Sequence, residues 1–241
     1  MQRAVQVIRR NWIRLLVPAL LMVLVEYGWS KAYPHLYLWH VAPLSVGYWF
    51  LSFANAFFAM FMDSLLTAAV VIGVAADHDG HHAPVGEMLK GALRNFFPLL
   101  AIFALYVPGF WLAMLLLVFP AFMFETAFTL IVPARVMENA GILQCFRRSA
   151  ELTKGYRWPI FGLIASYYVF AALIYFAMRP LSLTLLTGDT RAYGLPIYYI
   201  ATYAIRMVVT TVVSTVTASL YFELRAVKEG IGSAAIAQIF E

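Results

Sequence analysis

Six apolar runs, each about as long as a bilayer is thick, constrain the fold of this sequence more than any other feature. A helix of ~20 apolar residues crosses the hydrocarbon core, whereas the strands of a membrane barrel appear as ~10-residue segments of alternating polarity. Because 63% of the residues are hydrophobic and only 12% are charged, the chain also lacks the charge that a water-exposed surface requires. We therefore predict an all-α integral membrane protein, with one polytopic domain over residues 1–241. The predicted spans are residues 15–32, 46–75, 96–117, 120–137, 159–178 and 196–222.

The third and fourth spans are predicted from a stretch that has no polar loop. Between Pro98 and Pro133 only Glu125 is charged. At ~1.5 Å per residue, a single helix of that length would extend far beyond the bilayer. The sequence therefore predicts a tight helical hairpin, with its turn near Val118–Pro120.

Four shorter segments are amphipathic at helical spacing, and the first three also carry basic residues, which is typical of helices that lie in the membrane interface. They cover residues 1–14, 84–95, 141–153 and 231–240. In the third of them, Leu143, Phe146 and Ala150 form the apolar stripe. We expect the basic side chains in and beside these segments to bind phospholipid headgroups. The candidates are Arg10, Arg14, Lys90, Arg94, Arg147, Arg148, Lys154 and Arg157.

The distribution of positive charge predicts the orientation in the membrane. Thirteen of the 17 Lys and Arg residues lie at the two ends or in the loops that carry the amphipathic segments, and three lie in the opposite loops. Loops rich in Lys and Arg stay in the cytoplasm, so both termini are predicted to be cytoplasmic. The basic residues are spread over short loops and form no continuous stripe, which argues against nucleic acid as a partner.

Two stretches near the basic loops carry a family resemblance. VPARVMENAGILQCFRRSAELTKGYRWPIFG and the ending YFELRAVKEGIGSAAIAQIFE resemble a pattern in six-helix bacterial inner-membrane proteins. This family includes YciC-like proteins and the membrane domain that precedes the catalytic barrel in some glycerophosphoryl diester phosphodiesterases. The resemblance is best over residues 84–162 and 218–240, and it implies a six-span topology in the bacterial inner membrane. No such barrel follows in this sequence, so we expect no phosphodiesterase activity. Glu125 departs from the pattern, where a neutral or basic residue is expected.

Four charged residues lie away from the ends of the predicted spans, where a lone charge costs at least ~2.5–3.5 kcal/mol. They are Glu26, Asp63, Glu125 and Arg206. We expect them to face the interior of the bundle, and we expect Arg206 to pair with Glu125 or Glu26. Two interpretations remain open: an ion pair that fixes helix packing, or a pathway for ions or polar headgroups.

The loop DHDGHH contains candidate metal ligands. His78, His81 and His82 lie beside Asp77 and Asp79, a donor set that suits zinc or nickel. The competing interpretation is an exposed polar loop without the fixed geometry that a metal site needs. The single cysteine, Cys145, excludes an internal disulfide bond, and we interpret it as a small interfacial residue.

The sequence contains no nucleophile elbow, phosphate-binding loop or dinucleotide motif. We therefore expect no catalytic residues and no cofactor. The function predicted first is a non-enzymatic inner-membrane scaffold or accessory subunit that contacts phospholipids, as a homo-oligomer or within a larger membrane complex. The first alternative is a small transporter or channel that uses Asp63, Glu125 and Arg206. The second is a membrane enzyme that acts on lipid headgroups.

Overall fold

The computed structural model describes residues 2–37, 45–187 and 191–230, with the side chains of 12–29, 45–178 and 200–230. This part of the chain is helical apart from short turns and contains no strand. Its helices are α1 Gln2–Tyr37, α2 Val46–His78, α3 Val85–Arg94, α4 Phe96–Leu116, α5 Val118–Phe128, α6 Ile131–Glu138, α7 Ile142–Thr153, α8 Arg157–Thr187 and α9 Arg191–Glu229.

Six segments of the described chain are helical, long and apolar enough to cross a membrane. They are Trp12–Trp29, Val46–His78, Phe96–Leu116, Val118–Glu138, Arg157–Met178 and Ile200–Glu229. These segments coincide with the six runs marked in the sequence, and the protein is an all-α, multi-pass membrane protein, as predicted.

Helix α2 forms the centre of the bundle, packed against α1, α3, α4, α6 and α9. It is apolar on almost all sides, which is typical of a helix that other helices surround. Small residues allow the closest approach: a side chain at Gly73 would meet Met88 Cε on α3 at 2.7 Å. In contrast, only 6% of the most apolar stretch of Arg157–Met178 in α8 is buried, against 56% in Val46–His78. Helix α8 therefore lies at the periphery, against α5 and α9.

The predicted hairpin is present, and its turn is a single residue. Leu117 is fully extended (φ −177°, ψ 157°) and separates α4 from α5, one residue before the predicted Val118–Pro120. The two helices pack closely where Gly109 leaves room for the ring of Phe124. A side chain at position 109 would meet that ring at 2.9 Å. The tight turn is thus stabilised by close packing further along the hairpin.

The predicted fourth span is interrupted. Thr129 and Leu130 form a turn between α5 and α6. Two hydroxyls of α7 satisfy the backbone groups that the turn frees: Ser149 Oγ accepts from Leu130 N at 3.1 Å and donates to Ala127 O at 2.9 Å. Thr153 Oγ1 donates to the same carbonyl at 3.3 Å. A break at this depth needs such partners, because hydrocarbon offers none.

Several helices continue past the ends of the predicted spans. Residues 2–14 are not a separate amphipathic helix but the first part of α1, which also runs beyond residue 32 to Tyr37. Likewise, α8 extends past residue 178 to Thr187, and α9 starts before residue 196 and ends after residue 222. Nothing in these stretches caps a helix, so each helix extends into the adjoining region. Helices α3 and α7 confirm the predicted helical segments 84–95 and 141–153, and segment 231–240 lies outside the described residues.

Candidate functional site

An ion group, which we name the buried ion group after its buried acid Glu26, joins three helices through Arg206, Glu26 and Asp63; the side chains of Arg206 and Asp63 are 37% and 47% exposed. Arg206 Nη2 on α9 donates to Glu26 Oε1 on α1 at 2.8 Å and lies 3.5 Å from Asp63 Oδ2 on α2. The predicted pairing of Arg206 with Glu26 is confirmed, and Asp63 is a second partner. Glu26 is only 8% exposed, and its Oε2 has no hydrogen-bond partner among the described residues.

Glu125, the other proposed partner of Arg206, is bonded elsewhere. The phenol of Tyr168 on α8 lies 3.2 Å from each carboxylate oxygen and donates its one proton to that carboxylate. This contact links α8 to α5, where α8 is otherwise little buried. Tyr168 is not among the candidate site residues that the sequence suggests. The signal that identifies it is the polar run Ser166–Tyr168 in the middle of an otherwise apolar span.

Both Asp63 and Glu125 open onto one large cavity, which we call the lateral cavity. Its volume is about 1160 Å³, and its walls come from α2, α4, α5, α6, α8 and α9. Asp63 lies in the middle of α2, yet its side chain is 47% exposed. The lining residues on which the argument below depends are Asp63, Thr67, Phe103, Tyr106, Glu125, Tyr167, Tyr168, Phe170, Ile174, Ala204, Val208, Val212 and Ser214.

Two kinds of wall enclose the lateral cavity. On one side α2 and α9 are joined by a hydrogen bond between Thr67 Oγ1 and Ser214 Oγ at 3.0 Å. On the other side Phe170 of α8 and Val208 of α9 line the cavity and are also exposed on the surface of the bundle. The cavity is thus lined on this side by apolar side chains of α8 and α9 that are not packed against the rest of the bundle.

A second arginine-centred cluster lies at the end of the bundle that carries α3, α7 and the last turns of α6 and α9, here called the basic end. Arg148 Nε donates to both oxygens of Glu138, at 2.8 and 2.9 Å, and Arg148 Nη2 contacts Glu229. Tyr221 donates to Glu138 at 2.7 Å, and Arg225 to Glu229 at 2.8 Å. Partial burial lowers the pKa of Arg148, but these carboxylates outweigh it and raise that pKa above its usual value.

The basic end contains most of the predicted headgroup ligands. Lys90, Arg94, Arg147, Lys154 and Arg157 are exposed there. Exposed apolar side chains lie among them, including Leu93, Leu143 and Trp158. Arg148 differs from this set, because the two carboxylates already occupy its donors. Arg14 is exposed near the same end of α1, and the side chain of Arg10 lies outside the described part of the structure.

Helix α7 faces the bundle with residues other than its predicted apolar stripe. Cys145, Ser149 and Leu152 are buried, while Leu143 is 75% exposed. The thiol of Cys145 donates to Ala140 O at 3.4 Å, and burial raises the pKa of this thiol to about 11. The sequence did not predict the inward role of Ser149. An amphipathic pattern does not show whether a hydroxyl faces solvent or forms hydrogen bonds with the backbone at a break in a neighbouring helix.

The histidine loop does not converge on a metal-binding arrangement. His78 stacks on Phe222 with ring centroids 5.5 Å apart, and His82 Nδ1 lies 3.7 Å from Asp77 Oδ1. Among the residues that the structure describes, no three His, Cys, Asp or Glu side chains are grouped so that they could hold a metal ion.

Comparisons of the chain with protein-family models, with curated protein sequences and with solved structures found no match. The resemblance to the six-helix inner-membrane family therefore stays a prediction, and the argument for function depends on the geometry above.

Proposed function

We propose that this protein is a non-enzymatic accessory protein of the bacterial inner membrane that holds a lipid-like amphiphile within its helix bundle. The observation that carries the proposal is the lateral cavity. At about 1160 Å³ it exceeds the ~300–1,000 Å³ of pockets for drug-sized ligands. Its walls are mostly apolar, they include the two carboxylates of Asp63 and Glu125, and one side carries exposed apolar side chains of α8 and α9, where we place the opening toward lipid.

The position of Asp63 supports an occupied cavity. A carboxylate exposed in the middle of a spanning helix needs water or a polar ligand, because hydrocarbon cannot solvate it. The nearby hydroxyls of Thr67 and Ser214 are hydrogen-bonded to each other. An amphiphile fits both the carboxylates and the apolar walls of the cavity, with a polar head at Asp63 and Glu125 and an apolar tail along α8 and α9.

The basic end supports an orientation with both termini in the cytoplasm. Exposed Lys and Arg side chains beside Leu93 and Trp158 fit an anionic lipid surface, where each cation contributes up to ~1 kcal/mol. This surface anchors the protein, and the same face is available for a partner subunit or a second copy of the chain.

The geometry favours binding over chemistry. Glu125 is hydrogen-bonded by a phenol and Asp63 lies beside a guanidinium. Within the described contacts neither carboxylate touches a Ser, Cys, Thr or His side chain that could serve as a nucleophile. Transport remains the second candidate, because Asp63 and Glu125 line a cavity near the centre of the membrane.

Native mass spectrometry of the purified protein tests the proposal. Ala204 lines the cavity and is exposed, so Ala204→Trp fills the space without displacing packed neighbours. Ala172 is exposed on α8 outside the cavity, which makes Ala172→Trp a matched control. We expect one amphiphile to remain on the wild type and the control and to be absent from Ala204→Trp. Equal retention by both variants, or none by the wild type, contradicts the proposal.

Reconstitution separates the two candidates. In liposomes that contain only the pure protein, we expect neither solute flux nor hydrolysis of glycerophosphodiesters. Flux that Asp63→Asn abolishes, with Glu151→Gln as a control at the basic end, would replace the accessory role with transport.

A further inference from the structure

We propose that the lateral cavity selects amphiphiles whose headgroup is a cationic ammonium. This inference rests on the proposed function, since it names the ligand class of the same cavity. It starts from the balance of charge. No Lys, Arg or His is among the described residues that line the cavity, whereas Asp63 and Glu125 both do.

The nearby arginine does not neutralise these two acids. Arg206 makes its short contact, 2.8 Å, with Glu26, and its contact with Asp63 is longer, 3.5 Å. Glu26 itself retains an oxygen without a hydrogen-bond partner in the described structure. Glu26 and Asp63 therefore share one guanidinium, while Glu125 has only the phenol of Tyr168 beside it among the described contacts. A cationic ligand supplies the missing positive charge where water is scarce.

The aromatic lining points to the same ligand class. Tyr106, Tyr167, Tyr168 and Phe103 line the cavity together with the two acids. The rings of Tyr106 and Phe103 are 5.4 Å apart, and those of Tyr167 and Tyr168 are 5.2 Å apart. Aromatic faces attract ammonium groups, and carboxylates beside them add charge complementarity. An anionic headgroup would instead place its charge against Asp63 and Glu125.

The rest of the cavity requires an apolar tail. Phe170 and Ile174 of α8, with Val208 and Val212 of α9, line the side that opens between the two helices. An alkyl chain along this wall would leave the headgroup near Asp63 and the tail continuous with the surrounding lipid. The occupant is thus an alkyl or acyl amphiphile with an ammonium head, either a membrane aminophospholipid or a free amphiphilic amine.

Competition binding with three probes of equal chain length tests the inference on delipidated wild-type protein. The probes are dodecyltrimethylammonium, dodecanol and dodecyl phosphate. We expect the ammonium probe to bind about tenfold more tightly than dodecanol and the phosphate to bind most weakly. Glu125→Gln and Asp63→Asn should each reduce that preference, and the double variant should remove it. Glu151→Gln, which removes a carboxylate outside the cavity, should leave it unchanged.

The controls distinguish failure of the inference from failure of the proposed function. Both substitutions keep the shape of the side chain, and Arg206 retains Glu26 in Asp63→Asn; thermal unfolding verifies that each variant is folded. Binding of all three probes with equal affinity, lost in Ala204→Trp, overturns the ammonium selectivity but leaves the amphiphile site intact. No binding of any probe overturns both.

Lipid nanodiscs identify the source of the headgroup. Discs that contain phosphatidylethanolamine and phosphatidylglycerol in equal amounts offer one headgroup with an ammonium and one without. Enrichment of phosphatidylethanolamine on the wild type, lost in Glu125→Gln, assigns a membrane lipid. Binding of dodecyltrimethylammonium without that enrichment identifies the ligand as a free amphiphilic amine. Enrichment of phosphatidylglycerol at the cavity contradicts the inference.

Discussion

Arg148 at the basic end and Arg206 inside the bundle each lie between two carboxylates from other helices. At the basic end, Arg148 binds Glu138 through two hydrogen bonds and also contacts Glu229. Inside the bundle, a single nitrogen of Arg206 serves both acids, at 2.8 and 3.5 Å. The residue types are the same, but only the first cluster satisfies its acids fully.

The two clusters differ in whether the protein alone completes the hydrogen bonds of the carboxylates. Further donors complete the cluster at the basic end, since Tyr221 reaches Glu138 and Arg225 reaches Glu229. The buried ion group has no such addition: Glu26 Oε2 lacks a partner among the described residues, and Asp63 opens into the lateral cavity. A polar network left incomplete inside a membrane is costly unless a ligand or water completes it.

The largest expected effect comes from removal of the central arginine of the buried ion group. Arg206→Leu leaves two acids without a cation, which should lower the free energy of unfolding by about 2.5–3.5 kcal/mol. Unfolding in mixed micelles, followed by tryptophan fluorescence, measures the loss. Adding Glu26→Gln and Asp63→Asn to this variant should restore most of the stability. Unchanged stability of Arg206→Leu would mean that water, not protein, solvates these acids.

The equivalent change at the basic end should cost somewhat less. Arg148→Leu removes charge-assisted hydrogen bonds worth about 1.5–3 kcal/mol, but Tyr221 and solvent still reach Glu138. The adjacent Arg147 is a control, because its side chain is 78% exposed and its pair with Glu151 is on the surface. Arg147→Leu should therefore change stability by less than about 0.5 kcal/mol. Equal losses of stability in Arg148→Leu and Arg147→Leu, in the same unfolding assay, would show that the hydrogen bonds of Arg148 do not stabilise the fold.

A smaller loss of stability is expected from removing the hydrogen bond between Tyr168 and Glu125, which joins α8 to α5 at the wall of the lateral cavity. Tyr168→Phe removes the hydrogen bond from α8 to Glu125, at a cost of about 0.5–1.5 kcal/mol. Since α8 is little buried, hydrogen exchange in Arg157–Met178 should increase, while exchange in α2 stays unchanged. Tyr167→Phe leaves this bond in place and is the control. The role of the contact is refuted if both variants exchange alike.

The smallest effect concerns the thiol of Cys145 at the basic end. Its pKa is raised to about 11 by burial, whereas the pKa of an ordinary thiol is ~8.5. The unfolded chain therefore loses this proton first as the pH rises, so stability decreases between those two values and is unaffected below them. Maleimide labelling of the native protein at pH 8 should be much slower than labelling of Leu143→Cys in a Cys145→Ala background. Fast labelling of Cys145 would contradict its tight packing.

Sequence reasoning predicted the six spans because long apolar runs have few alternatives in a membrane. It also predicted that Arg206 pairs with Glu125 or Glu26, since an isolated charge inside a span needs a partner, and the partner is Glu26. It failed at helix ends such as Tyr37 and at the break beside Leu130, where tertiary partners decide whether a helix continues. The lateral cavity was not predictable, because the sequence does not show how far α8 lies from the bundle.

Whether a lipid-like molecule occupies the lateral cavity can be observed by crystallography. Crystals grown in a lipidic phase with dibrominated acyl chains locate bromine by its anomalous scattering. The account predicts bromine between α8 and α9, beside Ile174 and Val208, with a headgroup nitrogen within hydrogen-bonding distance of Asp63 or Glu125. Bromine confined to the outer surface of the bundle, with α8 packed down so that the cavity is closed, would contradict it.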